Sequence, residues 1–231
     1  MNGCKVVKPD DLDLVLAALD DGQVVGIPTD TSYALAARLD RPRAIESILK
    51  FQERDRELSL CVLLGRWSQA KDIALEWSGS AFQLGARFWP GPLTLVVPVK
   101  PELDPLLGGH TDGVGLRHPK HRFLKKLCIA AGPLVVMDTG VGDDSALCKT
   151  SQQLIEAFGG MDFGALGIVV EDGYCDAMAS TVVDCTGSEP ECLREGAIDW
   201  DWIQAALYRS RQRSLMWKLF NLGSRQDRQH S

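Results

Sequence analysis

No apolar run in this chain approaches 18 residues, so no membrane span is expected. Residues 1–8 hold no apolar core of a secretory signal, and the expected location is cytoplasmic. The seven cysteines are Cys4, Cys61, Cys128, Cys148, Cys175, Cys185 and Cys192. They contain no C-x-x-C pair and no Cys/His cluster at zinc spacing, so neither disulfides nor a structural metal is expected. Most fall in apolar stretches, as reduced buried thiols do. His118 and His121 are an isolated close pair, expected on the surface of a turn and helix start. There is no internal repeat, no low-complexity block and no linker-like stretch before about residue 205.

What is present is ordinary for a globular protein. The 231 residues are 45% hydrophobic and 24% charged, enough for one large domain or two small ones. The lack of a linker favours one, over residues 1–205. The net charge of −6 is uneven. Residues 205–231 carry Arg209, Arg211, Arg213, Lys218, Arg225 and Arg228 against Asp227, a net of +5 that leaves −11 elsewhere. This basic tail, 206–231, also holds Tyr208, Trp217, Phe220 and Leu222. It suits contact with nucleic acid, an acidic surface or a partner, and equally a solvated terminal extension.

Helical and extended patterns alternate along the chain. Leu12, Val15, Leu16 and Leu19 share a helix face behind a cap at Asp10 or Asp11, and Gly22 ends that helix. Strands are expected at Gln23–Ile27, Leu58–Leu64, Leu93–Val99, Gly113–Arg117, Leu134–Met137, Gly167–Val170 and Thr181–Cys185. Further helices are expected from Pro42, with Ile45, Ile48 and Leu49 inward, and over Ser80–Phe88, His121–Ala131, Ser151–Phe158 and Asp199–Leu207. The alternation predicts an α/β domain with helices over a mixed sheet.

Four segments carry unusual chemistry. Gly26–Ala36 places Thr29, Asp30, Thr31 and Tyr33 where a buried strand ends, which is where ligands sit in α/β folds. The same residues also suit a plain polar turn. Trp89-Pro90-Gly91-Pro92-Leu93-Thr94 fixes a rigid, exposed corner between a helix and a strand. Val114–Arg117 ends a strand on an arginine. Ser180-Thr181-Val182-Val183-Asp184 is followed by Leu193-Arg194-Glu195-Gly196-Ala197-Ile198.

In this order and spacing, from Gln23 to Ile198, the segments resemble the YrdC-like family of threonylcarbamoyl-AMP synthases. The motif style is closest to the YciO-like branch. The resemblance implies a single-domain twisted mixed β-sheet flanked by helices, with a concave, positively lined ligand cavity. It implies a reaction in which L-threonine and bicarbonate form an N-carboxylated threonine that attacks the α-phosphate of ATP with Mg²⁺. Threonylcarbamoyl-AMP and pyrophosphate leave, and other tRNA-modification proteins pass the product to tRNA. Such chemistry needs anions held in line and phosphate charge neutralised, and no protein nucleophile.

Residue by residue, the resemblance makes Thr29, Thr31, Tyr33 and Ser180 threonine-binding and Arg117 the partner of a carboxylate or phosphate. It makes Arg194 and Thr139 nucleotide-side groups, and Lys50 the first basic residue of a K-x-R motif. Here that motif reads Lys50-Phe51-Gln52, and Arg54 or Arg56 stands as the substitute. A usual Ser-x-Asn is replaced near Asp138-Thr139-Gly140-Val141. Val141 cannot hydrogen-bond a nucleotide, and Asp138 brings negative charge close to the phosphates unless it binds Mg²⁺. The threonine half is kept and the ATP half is eroded. The alternative is a divergent paralogue that binds a nucleotide or RNA, tRNA or double-stranded, with weak or no synthase activity.

Overall fold

Apolar residues at helical spacing put Val15 and Leu19 in the core and make Leu12–Asp20 a helix, α1, which closes before Gly22 at φ +75°. Asp11 stands at its N-cap, but its carboxylate accepts the Lys8 N–H and not a helix N–H. The computed structural model describes residues 4–52, 60–107, 113–141, 146–159, 166–175 and 177–208. Its strands are β1 (Lys5–Val7), β2 (Val24–Pro28), β3 (Tyr33–Arg38), β4 (Leu60–Leu63), β5 (Leu93–Val97) and β6 (Val114–Arg117). They continue with β7 (Leu134–Asp138), β8 (Gly140–Val141), β9 (Ala146–Leu147), β10 (Leu166–Val170), β11 (Thr181–Asp184) and β12 (Glu191–Arg194). The other helices are α2 (Pro42–Gln52), α3 (Gly79–Phe88), α4 (Arg122–Ala130), α5 (Ser151–Phe158) and α6, residues 200–208.

Ten strands form one mixed sheet in the order β1-β10-β2-β3-β7-β4-β6-β5-β11-β12, and β8 pairs with β9 alone. Side chains alternate across it. Along β7, Val135 and Met137 join the core under α2, α3, α5 and α6, while Leu134 and Val136 join the core under α1 and α4. The expected α/β architecture is thus present, with helices on both faces. Ile203 and Leu207 of α6 are buried, so this helix belongs to the core across residue 205. No helix among the described residues is long and apolar enough to cross a membrane.

Three expectations change. The polar stretch after β2 is a four-residue turn, and the chain returns at once as β3, with Pro28 opposite Tyr33. His118 and His121 are half-buried: His118 Nδ1 lies 2.8 Å from the Leu64 carbonyl, and His121 caps α4. The Trp-Pro-Gly-Pro corner is exposed only at Pro90. Trp89 is buried edge-on to Trp67 and Trp77 and donates to Leu93 O at 2.7 Å. Gly91 N donates to His118 O, so the corner ties the start of β5 to the end of β6.

The sheet curls strongly. Asp138 on β7 and Arg194 on β12 are five strands apart, which a flat sheet would separate by ~24 Å. Their side chains meet at 3.3 Å. Over β6, β5, β11 and β12 the face that carries α1 and α4 elsewhere has no helix on it among the described residues. Val96 and Val182 are partly exposed there. That hollow is the concave region.

Candidate functional site

The turn between β2 and β3 is locked by its own hydroxyls. Thr29 Oγ1 accepts the backbone N–H groups of Thr31 and Ser32 at 3.1 Å and donates to Ser32 O at 2.7 Å. Thr31 Oγ1 lies 3.0 Å from Thr29 Oγ1. Thr29 has spent its proton, so Thr31 is the donor there and keeps lone pairs for another group. That group is Arg117, whose Nη1 donates to Thr31 Oγ1 at 3.1 Å.

Arg117 ends β6 with only 1% of its surface exposed. A buried guanidinium needs a counter-ion, and Asp30 supplies it, with Oδ1 2.5 Å from Nη2. Asp30 Oδ2 accepts the Lys120 N–H at 2.9 Å, so the carboxylate is held on both oxygens. Arg117 Nε is buried without a partner among the described groups, an unused donor in the middle of the site.

Beside Arg117 in the sheet register is Thr94, whose Oγ1 lies 2.9 Å from Ser180 Oγ. Arg194 Nε donates to Ser180 O and Nη2 to Ser180 Oγ, both at 3.1 Å, and Nη2 also reaches Asp138. A clamp sets this geometry. Thr181 Oγ1 accepts from Gly196 N and Ile198 N and donates to Ile198 O. A Cβ on Gly196 would lie 2.2 Å from Ala179 O, so only glycine permits the approach. The structure thereby joins Thr31, Arg117, Ser180 and Arg194 through Thr94. Thr139, also buried, donates to Tyr33 O at 2.6 Å.

Cys61 lies on the floor of this ring and feels Asp138, Arg117, Arg194 and Asp30. Burial, with Asp138 adding to it, pushes its thiol up to about 12 despite the two arginines. It is therefore protonated at neutral pH and no nucleophile. Tyr33 points away from the ring toward the segment after β10. Its hydroxyl donates to Gly173 O at 2.9 Å and accepts from Asp172 N at 3.0 Å, and burial raises its pKa. His121 stands 3.5 Å from Asp172, and burial lowers its pKa.

Lys50 is exposed on the last turn of α2, and no described contact joins it to the ring. Arg54 and Arg56, and the side chains of Gln52 and Val141, lie outside the described residues. The lining is charge-balanced, not positive, among the described groups, because each arginine faces an aspartate. Sequence reasoning named Asp30 and Thr94 within motifs without giving them a role. Their signal was position: Asp30 sits between the two threonines, and Thr94 ends the Trp-Pro-Gly-Pro-Leu-Thr run. Among the described residues no group of three or more His, Cys, Asp or Glu could hold a metal ion.

Residues 17–196 match the model of the Sua5/YciO/YrdC family, described as "Telomere recombination". A threonylcarbamoyl-AMP synthase of Bacillus subtilis is 30% identical over 197 residues, 83% of this chain and 55% of that protein. The crystal structure of Pyrococcus abyssi Sua5 complexed with L-threonine superposes with a TM-score of 0.76 at 25% identity, over 88% of this chain and 60% of that one. The structure of E. coli YciO superposes with a TM-score of 0.75 at 19% identity, over 86% of this chain and 98% of that one, a likeness of fold.

Proposed function

This chain belongs to the Sua5/YciO/YrdC family, and on that footing we propose that it is a threonylcarbamoyl-AMP synthase using L-threonine, bicarbonate and ATP. The observation that carries the reading is the ring itself. Two arginines and three hydroxyls converge on one concave floor, where Cys61 is protonated and no activated nucleophile stands among the described residues. An enzyme that only has to align anions needs such a set.

The amino acid binds at the Thr31–Arg117 end, where Arg117 Nε is a buried donor without a partner among the described groups and suits a carboxylate oxygen. The threonine amine adds to bicarbonate with loss of water and forms a carbamate. A carbamate oxygen then attacks the α-phosphorus of ATP, the bond to the β-phosphate oxygen breaks, and pyrophosphate leaves. Ser180 serves the threonine side, and Arg194, Thr139 and Lys50 serve the nucleotide, with Arg54 as a further candidate. Mg²⁺ enters as part of the ATP substrate. The product serves tRNA modification, and the basic tail is the candidate contact for RNA.

The test is a pyrophosphate-release assay on the full chain with ATP, Mg²⁺ and bicarbonate, read with and without L-threonine, with mass spectrometry of the adenylate. Release that requires both threonine and bicarbonate supports the reading. Binding of threonine and ATP without threonine-dependent release rejects it.

A further inference from the structure

The two arginines of the ring are paired in different ways. Asp30 is a fixed partner: both of its oxygens are held, one by Arg117 and the other by the Lys120 N–H. Asp138 holds Arg194 through one bond of 3.3 Å, longer than the usual charge-assisted 2.7–2.9 Å. The Arg194 side chain is 34% exposed against 13% for Asp138. Meanwhile Arg194 is oriented by Ser180 through Nε and Nη2, whether or not Asp138 is there. Its Nη1 has no partner among the described residues. The guanidinium is thus preset for an anion while a loosely held carboxylate stands on it.

We propose that Asp138 is a built-in competitor for the anion that Arg194 receives, and so sets how tightly the protein holds a phosphate. The proposal rests on the reading of Arg194 as a phosphate-side group. An arriving phosphate must either displace the carboxylate or share the guanidinium with a like charge a few ångströms away, and both lower affinity. The oriented arginine is kept, so the ligand still docks in register. Asp138 acts on the ligand through Arg194 and is a positioning residue, not a catalytic one.

The test is calorimetric titration of the full chain with inorganic pyrophosphate, a probe that needs no turnover. The proteins are the wild type, Asp138→Asn, Arg194→Ala and the double variant, with thermal melts to show that all are folded. Asp138→Asn keeps size and a hydrogen-bonding oxygen, and Asp138→Ser is the second variant should it fail to fold. The expected result is pyrophosphate affinity raised about tenfold in Asp138→Asn, the scale of removing one close like charge in a partly solvated site. That gain must vanish in the double variant. In turnover, KM for ATP falls with kcat unchanged or lower. Equal or weaker binding by Asp138→Asn, a gain that survives loss of Arg194, or no pyrophosphate binding by any variant overturns the proposal. Threonine-dependent turnover of the wild type is read separately. A pyrophosphate gain without that turnover leaves the counter-ion role standing and removes the synthase reading.

Discussion

Replacing Asp30 by alanine strands the Arg117 guanidinium. Arg117 is 1% exposed, and Asp30 is its one anionic partner among the described residues. Thr31 Oγ1, a neutral group, would remain as its only side-chain acceptor among the described residues, and Lys120 N would lose its acceptor as well. Breaking a buried ion pair from one side costs about 3–5 kcal/mol, because the survivor stays desolvated and uncompensated. For a chain of this length each kcal/mol lowers the melting temperature by about 2–4 °C, so Asp30→Ala should melt roughly 6–20 °C below the wild type. Two further measurements separate this cause from general damage. Asp30→Ala with Arg117→Met should recover most of the loss, since an apolar side chain there has no charge to satisfy. Acetate or L-threonine should raise the melting temperature of Asp30→Ala more than that of the wild type, because a carboxylate can re-enter beside Arg117. A single-variant loss below about 1 kcal/mol would refute the reasoning, since it would put the pair in the range of a solvated surface bridge. So would a double variant no more stable than Asp30→Ala.

Thr31→Val should weaken L-threonine binding up to about tenfold, the value of one hydrogen bond, and ATP binding less, while Lys50→Ala does the reverse. Calorimetry with each ligand checks this, and equal effects on both would reject the two halves. Burial outweighs Asp172 and Asp30 and holds His121 below its ordinary 6.5. The unfolded chain therefore takes the proton first, and stability falls as pH drops below about 6.5 until the folded ring also titrates. His121→Gln should remove that part of the slope in urea midpoints between about pH 7 and pH 5, and an unchanged slope would clear His121. In Gly26→Ala the new methyl would sit 2.4 Å from Leu154 Cδ2 and 2.8 Å from Val169 Cγ2. Urea unfolding should show about 1–3 kcal/mol lost to overpacking, and an unaltered midpoint would mean that α5 moves aside freely.

Elements whose pattern is local were legible. The apolar faces of α2, α4 and α5 repeat every three or four residues; α2 begins at Pro42 as expected, and both ends of α4 and α5 match to within one residue. Strand β3 was not legible, because Tyr-Ala-Leu-Ala-Ala-Arg is buried on both faces and shows no alternation. Strand β12, Glu-Cys-Leu-Arg at the sheet edge, is too polar and short to stand out. The basic tail beyond Tyr208 and the residues after α2 lie outside the described residues, so Arg54 keeps the standing of a sequence expectation.

The site divides in the same way. By itself the sequence determined which chemistry is present: hydroxyls in the turn after β2, an arginine ending β6, a serine entering β11 and an arginine in the Leu-Arg-Glu-Gly run that follows. It also determined how that chemistry is carried, since turn residues and strand ends are local instructions. Only the tertiary structure decided the partners. Arg117 meets Asp30 across three strand steps and Arg194 meets Asp138 across five. Those meetings depend on the curl of the whole sheet, a sum of small twists that no single segment encodes. The curl turned a lining expected to be positive into two ion pairs, one buried and fixed, the other loose enough to yield its arginine.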